Sequence, residues 1–267
     1  MVKKILYILT ILAFCGCEVI HDQFIQLENN NGTRRHVLLE FTGFRCVNCP
    51  KASEMAQSLK EEYDEQLILV SLHPASNPFT QGTYDYTCPA ADTIYRWLGG
   101  NATTPFPTGN LNIWPFEGHN FSDYSEWPTM VYNAMKDTVA PNIECLSAIA
   151  DTIQKKITIH IVHTARLGYN YACWLVEDSV LGVQAMPDGS VNTQYYHRHV
   201  LRAAWDDKPF GKYIVSHHFD EELLEMDIPE GCDLRHCYVI ALLLFETDHH
   251  ILNAYEKKVL ISDSSSD

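Results

Sequence analysis

The sequence predicts an α/β domain followed by an all-β domain. In the first half, a strand, a helix and a second strand follow one another, an order typical of a parallel sheet with a helical crossover. In the second half, apolar and polar residues alternate, and no long helical pattern interrupts them. The chain has 267 residues, which is enough for two cores of moderate size. We place the boundary at Ala140-Pro141, so that the domains are residues 18–140 and 141–262.

The N-terminus predicts export and lipidation. Lys3-Lys4 precedes an apolar run at residues 5–14, which is too short for a membrane-spanning helix of about 20 residues but fits a signal peptide. The run is followed by Cys15-Gly16-Cys17, which resembles the lipobox of bacterial lipoproteins. Its small central residue makes Cys17 the predicted lipidation site and residues 1–17 the signal peptide. Ordinary secretion with cleavage nearby is the alternative.

The charge of the chain argues against nucleic acid as a partner. There are 34 acidic and 19 basic residues, with a formal net charge of −15. Neutralising a phosphate backbone needs clustered lysine and arginine instead. A glycine-rich phosphate loop and a Gly-x-Ser-x-Gly elbow are also missing from the sequence, so nucleotide hydrolysis and serine esterase chemistry have no support. We expect no cofactor.

The first elements follow from hydrophobic spacing. The turn signal at residues 29–32 lets a short leading strand fold back on the next one. His36–Phe41 and Leu67–Leu72 are compact apolar runs, as expected of strands covered on both faces. Between them, apolar residues from Ala52 to Tyr63 recur at helical spacing. Pro50 stands early in that helix, where its missing N–H is tolerated.

Three further elements complete the first half. A second helix is predicted with Thr87 as its N-cap and Gly99-Gly100 as its end. A proline-rich turn then precedes a strand at residues 108–113. From Trp127 to Val139 the spacing is again helical, with a cap near Ser125. We expect this third helix to end at the domain boundary.

The second half predicts strands. Three isoleucines alternate with polar residues at 157–161, and residues 171–176 and 238–245 are further apolar runs. About seven strands in about 120 residues suit a two-sheet antiparallel sandwich of the immunoglobulin-like kind. The tail, residues 263–267, is expected to be frayed.

A Cys46-Val47-Asn48-Cys49 motif follows the first buried strand and opens the first helix. Two cysteines at this spacing suit a redox pair, half of a zinc site or a structural clip. At a helix N-terminus, however, unpaired N–H groups and the helix dipole stabilise a thiolate on the first cysteine. Cys46 is therefore the predicted nucleophile, with Arg45 adding positive charge, and Cys49 is placed to resolve a mixed disulfide. Zinc is not expected, because no second ligand pair follows.

Residues 39–50 resemble the active-site segment of thioredoxin-like proteins. That family carries a buried acid on the strand before the dithiol, and the resemblance gives this place to Glu40, as the proton acceptor for Cys49. It also implies a cis-proline that faces the dithiol and shapes a substrate groove. Phe106-Pro107 fits that role because it follows the second helix and leads into a strand, whereas Trp127-Pro128 has helical spacing.

A longer set of motifs is similar to the 28-kilodalton outer-membrane protein family of Bacteroidetes lipoproteins, and this resemblance covers almost the whole mature chain. The motifs are Phe41-Thr42-Gly43, Pro107-x-Gly109-x-x-Asn112, Leu175-Val176-Glu177-Asp178, Gln184 and His197-x-His199-Val200-Leu201-Arg202. The resemblance implies a thioredoxin-like domain followed by a β-sandwich in an outer-membrane lipoprotein, held to the membrane through its N-terminal lipid. It implies no established reaction.

The remaining cysteines and histidines are ambiguous. Cys232 and Cys237 can bracket a small loop. Of Cys88, Cys145 and Cys173, one must be unpaired if the others form internal disulfides, and it can be a buried free thiol. His197 and His199, with the doublets His217-His218 and His249-His250, invite a metal hypothesis. Because no carboxylate or cysteine stands at a matching spacing, we interpret them as surface or hydrogen-bonded histidines and expect no metal. The segment from His197 to Arg202 is expected to join strands or domains.

Two functions follow from these observations. The first is thiol–disulfide exchange with the thiols or disulfides of exported proteins, in which Cys46 attacks, Cys49 resolves, Glu40 handles the proton and Pro107 shapes the groove. The second is a non-catalytic outer-membrane lipoprotein that binds an unknown surface ligand, with Cys46–Cys49 as a permanent clip. Both place the protein at the outer membrane, on either face.

Overall fold

A computed structural model of the chain describes residues 31–165, 167–215 and 220–262. The predicted signal peptide, the lipidation site Cys17, the doublet His217-His218 and the tail lie outside these ranges. The helices are α1 Cys49–Tyr63, α2 Pro89–Trp97 and α3 Trp127–Ala134. The strands are β1 Asn31–Thr33, β2 His36–Phe41, β3 Leu67–Leu72, β4 Thr108–Leu111, β5 Val139–Pro141, β6 Ile143–Asp151, β7 Lys156–His163, β8 Tyr169–Glu177, β9 Val180–Ala185, β10 Val191–His197, β11 Val200–Ala204, β12 Lys212–Tyr213, β13 Asp220–Asp227, β14 Cys237–Phe245, β15 Ile251–Lys258 and β16 Leu260–Ile261.

Most of these strands belong to two sheets. The larger sheet has eight strands in the order β15-β14-β8-β11-β3-β2-β4, with β12 paired to β8. The smaller sheet has the order β13-β7-β6-β16, and β1-β5 and β9-β10 form two separate pairs. Strands β2 and β3 are parallel, and β4 is antiparallel to β2. The molecule is thus mostly β-sheet, with α1 beside β2 and β3, α3 beside β4, and α2 beside β11.

Strand β11 connects the two parts of the larger sheet. Val200 pairs with Ser71 on β3 and with Glu177 on β8. In addition, the N–H of Ser71 donates to the carbonyl of His199 at 2.7 Å. The segment from His197 to Arg202 therefore joins strands, as expected from the sequence. The larger sheet takes strands from both sides of residue 141, and the division into two domains stays a prediction.

Strands β8 and β14 contribute to a separate core on each of their faces. Trp174 and Ile240 belong to the core that α2 covers, together with Ile94 of that helix. Cys173 and Leu175 belong to a second core, which the larger sheet shares with the smaller one. Because both of their faces are covered, β8 and β14 have continuous apolar sequences rather than alternating ones.

A third core lies between α1, α3 and the sheet. Leu38 and Leu69 pack there against Ala56 of α1 and Trp127 of α3. Each fully buried leucine contributes about 1.5–3 kcal/mol through the hydrophobic effect. This packing fixes α1, and with it the start of α1 at Cys49, against β2 and β3. Among the described residues, no helix is long and apolar enough to cross a membrane.

The structure confirms β2, β3 and the start of α1 near the dithiol, and it corrects three boundaries. The N-cap of α2 is Cys88 rather than Thr87. Strand β4 ends at Leu111 because the next two residues, 112 and 113, have positive φ. Helix α3 ends at Ala134, and residues 139–141 form β5, which pairs with β1. Ala140 precedes Pro141, and a residue before proline is biased toward an extended conformation, which favours a strand here over a continued helix.

Candidate functional site

The dithiol lies in the turn between β2 and α1. The N–H of Cys46 donates to the carbonyl of Gly43 at 3.0 Å, and the N–H of Cys49 donates to the carbonyl of Cys46 at 3.3 Å. The two sulfur atoms are joined in a disulfide. Cys49 is the first residue of α1, so the motif occupies the helix N-terminus as predicted. Unpaired N–H groups and the dipole at this end stabilise negative charge on sulfur.

Gly43 lets this turn pass close to Phe79. A Cβ atom at Gly43 would lie 2.5 Å from the carbonyl oxygen of Phe79, closer than a side chain can approach. The same oxygen accepts a hydrogen bond from the N–H of Arg45 at 3.1 Å. The glycine in the Phe41-Thr42-Gly43 motif is thus required by the close approach of two backbone segments.

Both cysteines are buried. Cys46 is 1% exposed and Cys49 is 2% exposed. Arg45, Val47 and Asn48 beside them are exposed. The side chain predicted to be the nucleophile is therefore covered, although its loop reaches the surface.

The β9–β10 hairpin covers the dithiol. The side chain of Gln184 donates to the carbonyl of Cys46 at 2.8 Å. The N–H of Ala185 donates to the carbonyl of Phe44 at 2.8 Å, and the hydroxyl of Tyr86 accepts from a β9 N–H at 3.2 Å. In the sequence, only the family resemblance marks Gln184. Its partner is 138 residues away, which spacing along the chain does not reveal.

Glu40 is a buried acid in the strand that leads to the dithiol. It is 4% exposed, and Ser71 on β3 donates to its Oε2 at 3.2 Å. Its Oε1 has no hydrogen-bond partner among the described residues. Burial raises the pKa of Glu40 to about 8, so the carboxyl group is mostly protonated at neutral pH. A neutral carboxylic acid in this place is able to give up or accept a proton near pH 7.

Glu40 and Cys49 line the same narrow crevice, which has a volume of only about 10 Å³. Tyr195 and His197 of the hairpin and the buried His73 line it too. Burial lowers the pKa of His197 to about 4 and that of His73 well below its ordinary value, so both rings are neutral. The crevice thus places the acid and the second cysteine on one lining, together with neutral histidine rings and the side chain of Arg198.

The structure places the third predicted element, Pro107, at the start of β4. The peptide bond between Phe106 and Pro107 is cis, as predicted. Phe106 belongs to the same cluster of buried side chains as Cys46 and Cys49, and its ring stacks on that of Phe79 at 6.0 Å.

The histidines that the sequence offers as metal ligands contact other groups of the protein instead. His197 donates to the carbonyl of Val183 at 3.1 Å. The ring of His249 stacks on Phe210 at 4.1 Å, and that of His250 lies 4.5 Å from Trp114.

An open pocket of about 380 Å³, which no sequence motif indicates, lies apart from the dithiol. Trp114, Phe116 and Met130 supply apolar surface, and Arg34 and His250 supply polar edges. Arg34 forms an ion pair with Asp137 at the pocket rim. These residues come from distant parts of the sequence, so only the folded chain brings them together.

Comparisons with known proteins extend this picture. The family model of outer membrane protein Omp28 matches residues 100–262. HBP35 of Porphyromonas gingivalis is similar in structure, with a TM-score of 0.68 and 16% identity over 88% of this chain and 79% of that chain.

A protein from Agrobacterium tumefaciens has a TM-score of 0.50 and 12% identity over 87% of this chain and 96% of that chain. A domain of the outer membrane lipoprotein Omp28 from Porphyromonas gingivalis has a TM-score of 0.34 and 15% identity over 46% of this chain and 91% of that chain. No curated protein matches the sequence. At these identities, the likeness of the first two structures concerns the fold alone.

Proposed function

Because this chain belongs to the Omp28 family of outer membrane proteins, we propose that it is an outer-membrane lipoprotein, anchored through Cys17, that exchanges disulfides with exported proteins at Cys46–Cys49. The matched residues 100–262 do not include the dithiol. The family therefore supports the location, and the proposed reaction depends on the geometry of the site.

The observation that carries the reaction is the placement of Glu40. The protonated carboxyl group of Glu40 lines the same crevice as Cys49. A disulfide that only stabilises the fold does not require a buried acid beside it. Burying a carboxyl group whose second oxygen lacks a partner costs stability. A role in moving the proton of Cys49 accounts for that cost.

The surrounding topology supports a thioredoxin-like arrangement for this half of the chain. The dithiol stands between parallel strands β2 and β3, at the N-terminus of the crossover helix α1, and Pro107 precedes the antiparallel strand β4. In this arrangement Pro107 would shape the groove for the partner chain.

The proposed reaction starts from the disulfide. A thiolate of the partner attacks Sγ of Cys46, which forms a mixed disulfide and releases Cys49 as a thiolate. Glu40 gives its proton to Cys49. In the reverse direction, the carboxylate takes the proton back, and Cys49 attacks the mixed disulfide and releases the partner.

Reaching Cys46 requires the β9–β10 hairpin to move. Three hydrogen bonds hold it to the dithiol loop and Tyr86. Its outer side chains, among them Leu181 and Tyr196, are more than half exposed. A separate two-stranded sheet with an exposed outer face is the kind of element that opens locally without unfolding of the whole chain.

Trapping of the mixed disulfide tests this function. We expect the Cys49→Ser variant to accumulate a mixed disulfide on Cys46 when it is mixed with a peptide disulfide, because the resolving thiol is missing. Peptide mapping by mass spectrometry identifies the attached residue. The Cys46→Ser variant should accumulate far less adduct on Cys49, and Cys145→Ser, which changes a buried thiol elsewhere, serves as the control.

A second function is favoured by the burial of both cysteines and by the open pocket beside Trp114. In this alternative the protein binds a ligand at the outer membrane, and Cys46–Cys49 is a permanent clip. Absence of any adduct on Cys46 in the folded Cys49→Ser variant would favour it.

A further inference from the structure

A second pair of cysteines lies at the start of β14. Cys232 follows a turn in which its N–H donates to the carbonyl of Pro229 at 3.4 Å. Cys237 is the first residue of β14 and stands opposite Glu177 on β8. Both sulfur atoms and a carboxylate oxygen of Glu177 lie within 4.8 Å of one another. The two thiols are unbonded. A modest movement of the side chains would bring them to the distance of about 2 Å that a disulfide needs.

The two thiols are not equivalent. Cys232 is partly exposed, whereas Cys237 is completely buried and donates to the carbonyl of Asp233 at 3.4 Å. The hydrogen bond from Cys237 lowers the pKa of Cys232, and the guanidinium of Arg202 lowers it further. The same interaction raises the pKa of Cys237. A partly exposed sulfur beside a positive charge is the usual setting of a reactive cysteine.

Glu177 is already engaged. Its Oε1 accepts the N–H of Asp233 at 2.9 Å, and its Oε2 lies 3.4 Å from a guanidinium nitrogen of Arg202. A structural zinc site needs four ligands. Among the described residues, this cluster offers three possible metal ligands, and one of them, Glu177, is already paired with Arg202. The arrangement therefore favours sulfur chemistry over metal binding.

We propose that Cys232 and Cys237 form a second redox site, which low-molecular-weight disulfides oxidise. The thiolate of Cys232 attacks one sulfur of the small disulfide and releases its other half, which takes up a proton. Cys237 then loses its proton to solvent, and its sulfur attacks Sγ of Cys232, which closes the protein disulfide and releases the second small thiol. The small disulfide gains two electrons, and the two cysteines lose two. The proposal does not depend on the function of Cys46–Cys49.

Alkylation and oxidation of the purified full chain test the proposal. After reduction and removal of the reductant, iodoacetamide at pH 7 should label Cys232 about tenfold faster than the buried Cys145 and Cys173. Incubation with glutathione disulfide should then yield peptides cross-linked between Cys232 and Cys237. The Cys237→Ser variant should retain glutathione on Cys232, and Cys232→Ser should not retain it on Cys237.

One control variant and three contrary results separate this proposal from its alternatives. Cys88 lies near Cys232, and burial raises the pKa of Cys88 to about 11, so Cys88→Ala should leave the cross-link unchanged. A cross-link to Cys88 instead of Cys237 would overturn the proposal. So would free thiols after oxidation, or one equivalent of zinc that is lost in Cys232→Ser. If a variant fails to fold, the alkylation rates and cross-link of the wild-type chain decide alone.

Discussion

Glu40 is the residue on which the proposed chemistry depends. Its carboxyl group is buried beside Ser71, and its pKa of about 8 is well above the ordinary value of 4.5. Between these two values, the folded chain binds more protons at this site than the unfolded chain does. The free energy of unfolding must therefore fall as the pH rises from 4.5 to 8.

Glu40→Gln should remove this pH dependence. We expect the wild type to lose up to about 1.4 kcal/mol of unfolding free energy per pH unit from this group, and the variant to lose none of it. Denaturant unfolding at pH 5, 6, 7 and 8, with the disulfide intact, measures the difference. Glu54→Gln, at an exposed position on α1, is the matched control. Parallel slopes for the wild type and Glu40→Gln would show that Glu40 is ionised in the folded chain.

At this scale, much of the site was predictable. The position of Cys46 and Cys49 at a helix start follows from a buried strand, a dithiol and a helical pattern in sequence. Glu40 follows from the family resemblance. The burial of both cysteines was not predictable, because they belong to a core cluster with residues as distant as Trp174 and Ile240, and Gln184 binds the carbonyl of Cys46 from far along the chain.

In the proposed function, the β9–β10 hairpin is the element that controls access to the dithiol. Gln184 holds it to the carbonyl of Cys46, and Gly182 lets it pass Tyr86, where a Cβ atom would lie 1.7 Å from the hydroxyl oxygen. The sequence does not predict this contact, since alternation along β9 and β10 indicates strands but not what their faces touch.

Gln184→Ala should make the disulfide easier to reduce. Loss of one hydrogen bond costs about 1 kcal/mol, and we expect reduction of Cys46–Cys49 by dithiothreitol to become about fivefold faster. Trapping with a thiol reagent at successive times gives the rates. Gln194→Ala, an exposed glutamine on the same hairpin, should react like the wild type. Equal rates for all three proteins would mean that the hairpin does not gate the disulfide.

At the scale of the whole molecule, sequence patterns predict the strands of the larger sheet but not the order in which they pair. The strands themselves follow from apolar runs, such as those of β2, β3 and β14. Their order does not, because β11 pairs both with the nearby β8 and with β3, where Val200 lies opposite Ser71, more than 100 positions earlier in the chain. The helix expected up to Val139 ends earlier because the pairing of β5 with β1 satisfies the backbone there.

This sheet brings the dithiol and its cover together. The strand β2 leads to Cys46, and β8 leads to the hairpin through Ser179, a residue with φ of 59°. In the proposed function, the disulfide, the acid and the hairpin therefore act as one site that spans the two halves of the sequence.

A redox titration of the full chain tests this account most directly. The chain is equilibrated in glutathione buffers of graded potential, and the state of Cys46 and Cys49 is trapped by alkylation and mapped by mass spectrometry. An exchanging pair should open and close reversibly in the folded chain, with a midpoint at about −180 to −250 mV. A disulfide that stays closed throughout this range and opens only when the chain unfolds would contradict the proposed exchange and identify a structural clip.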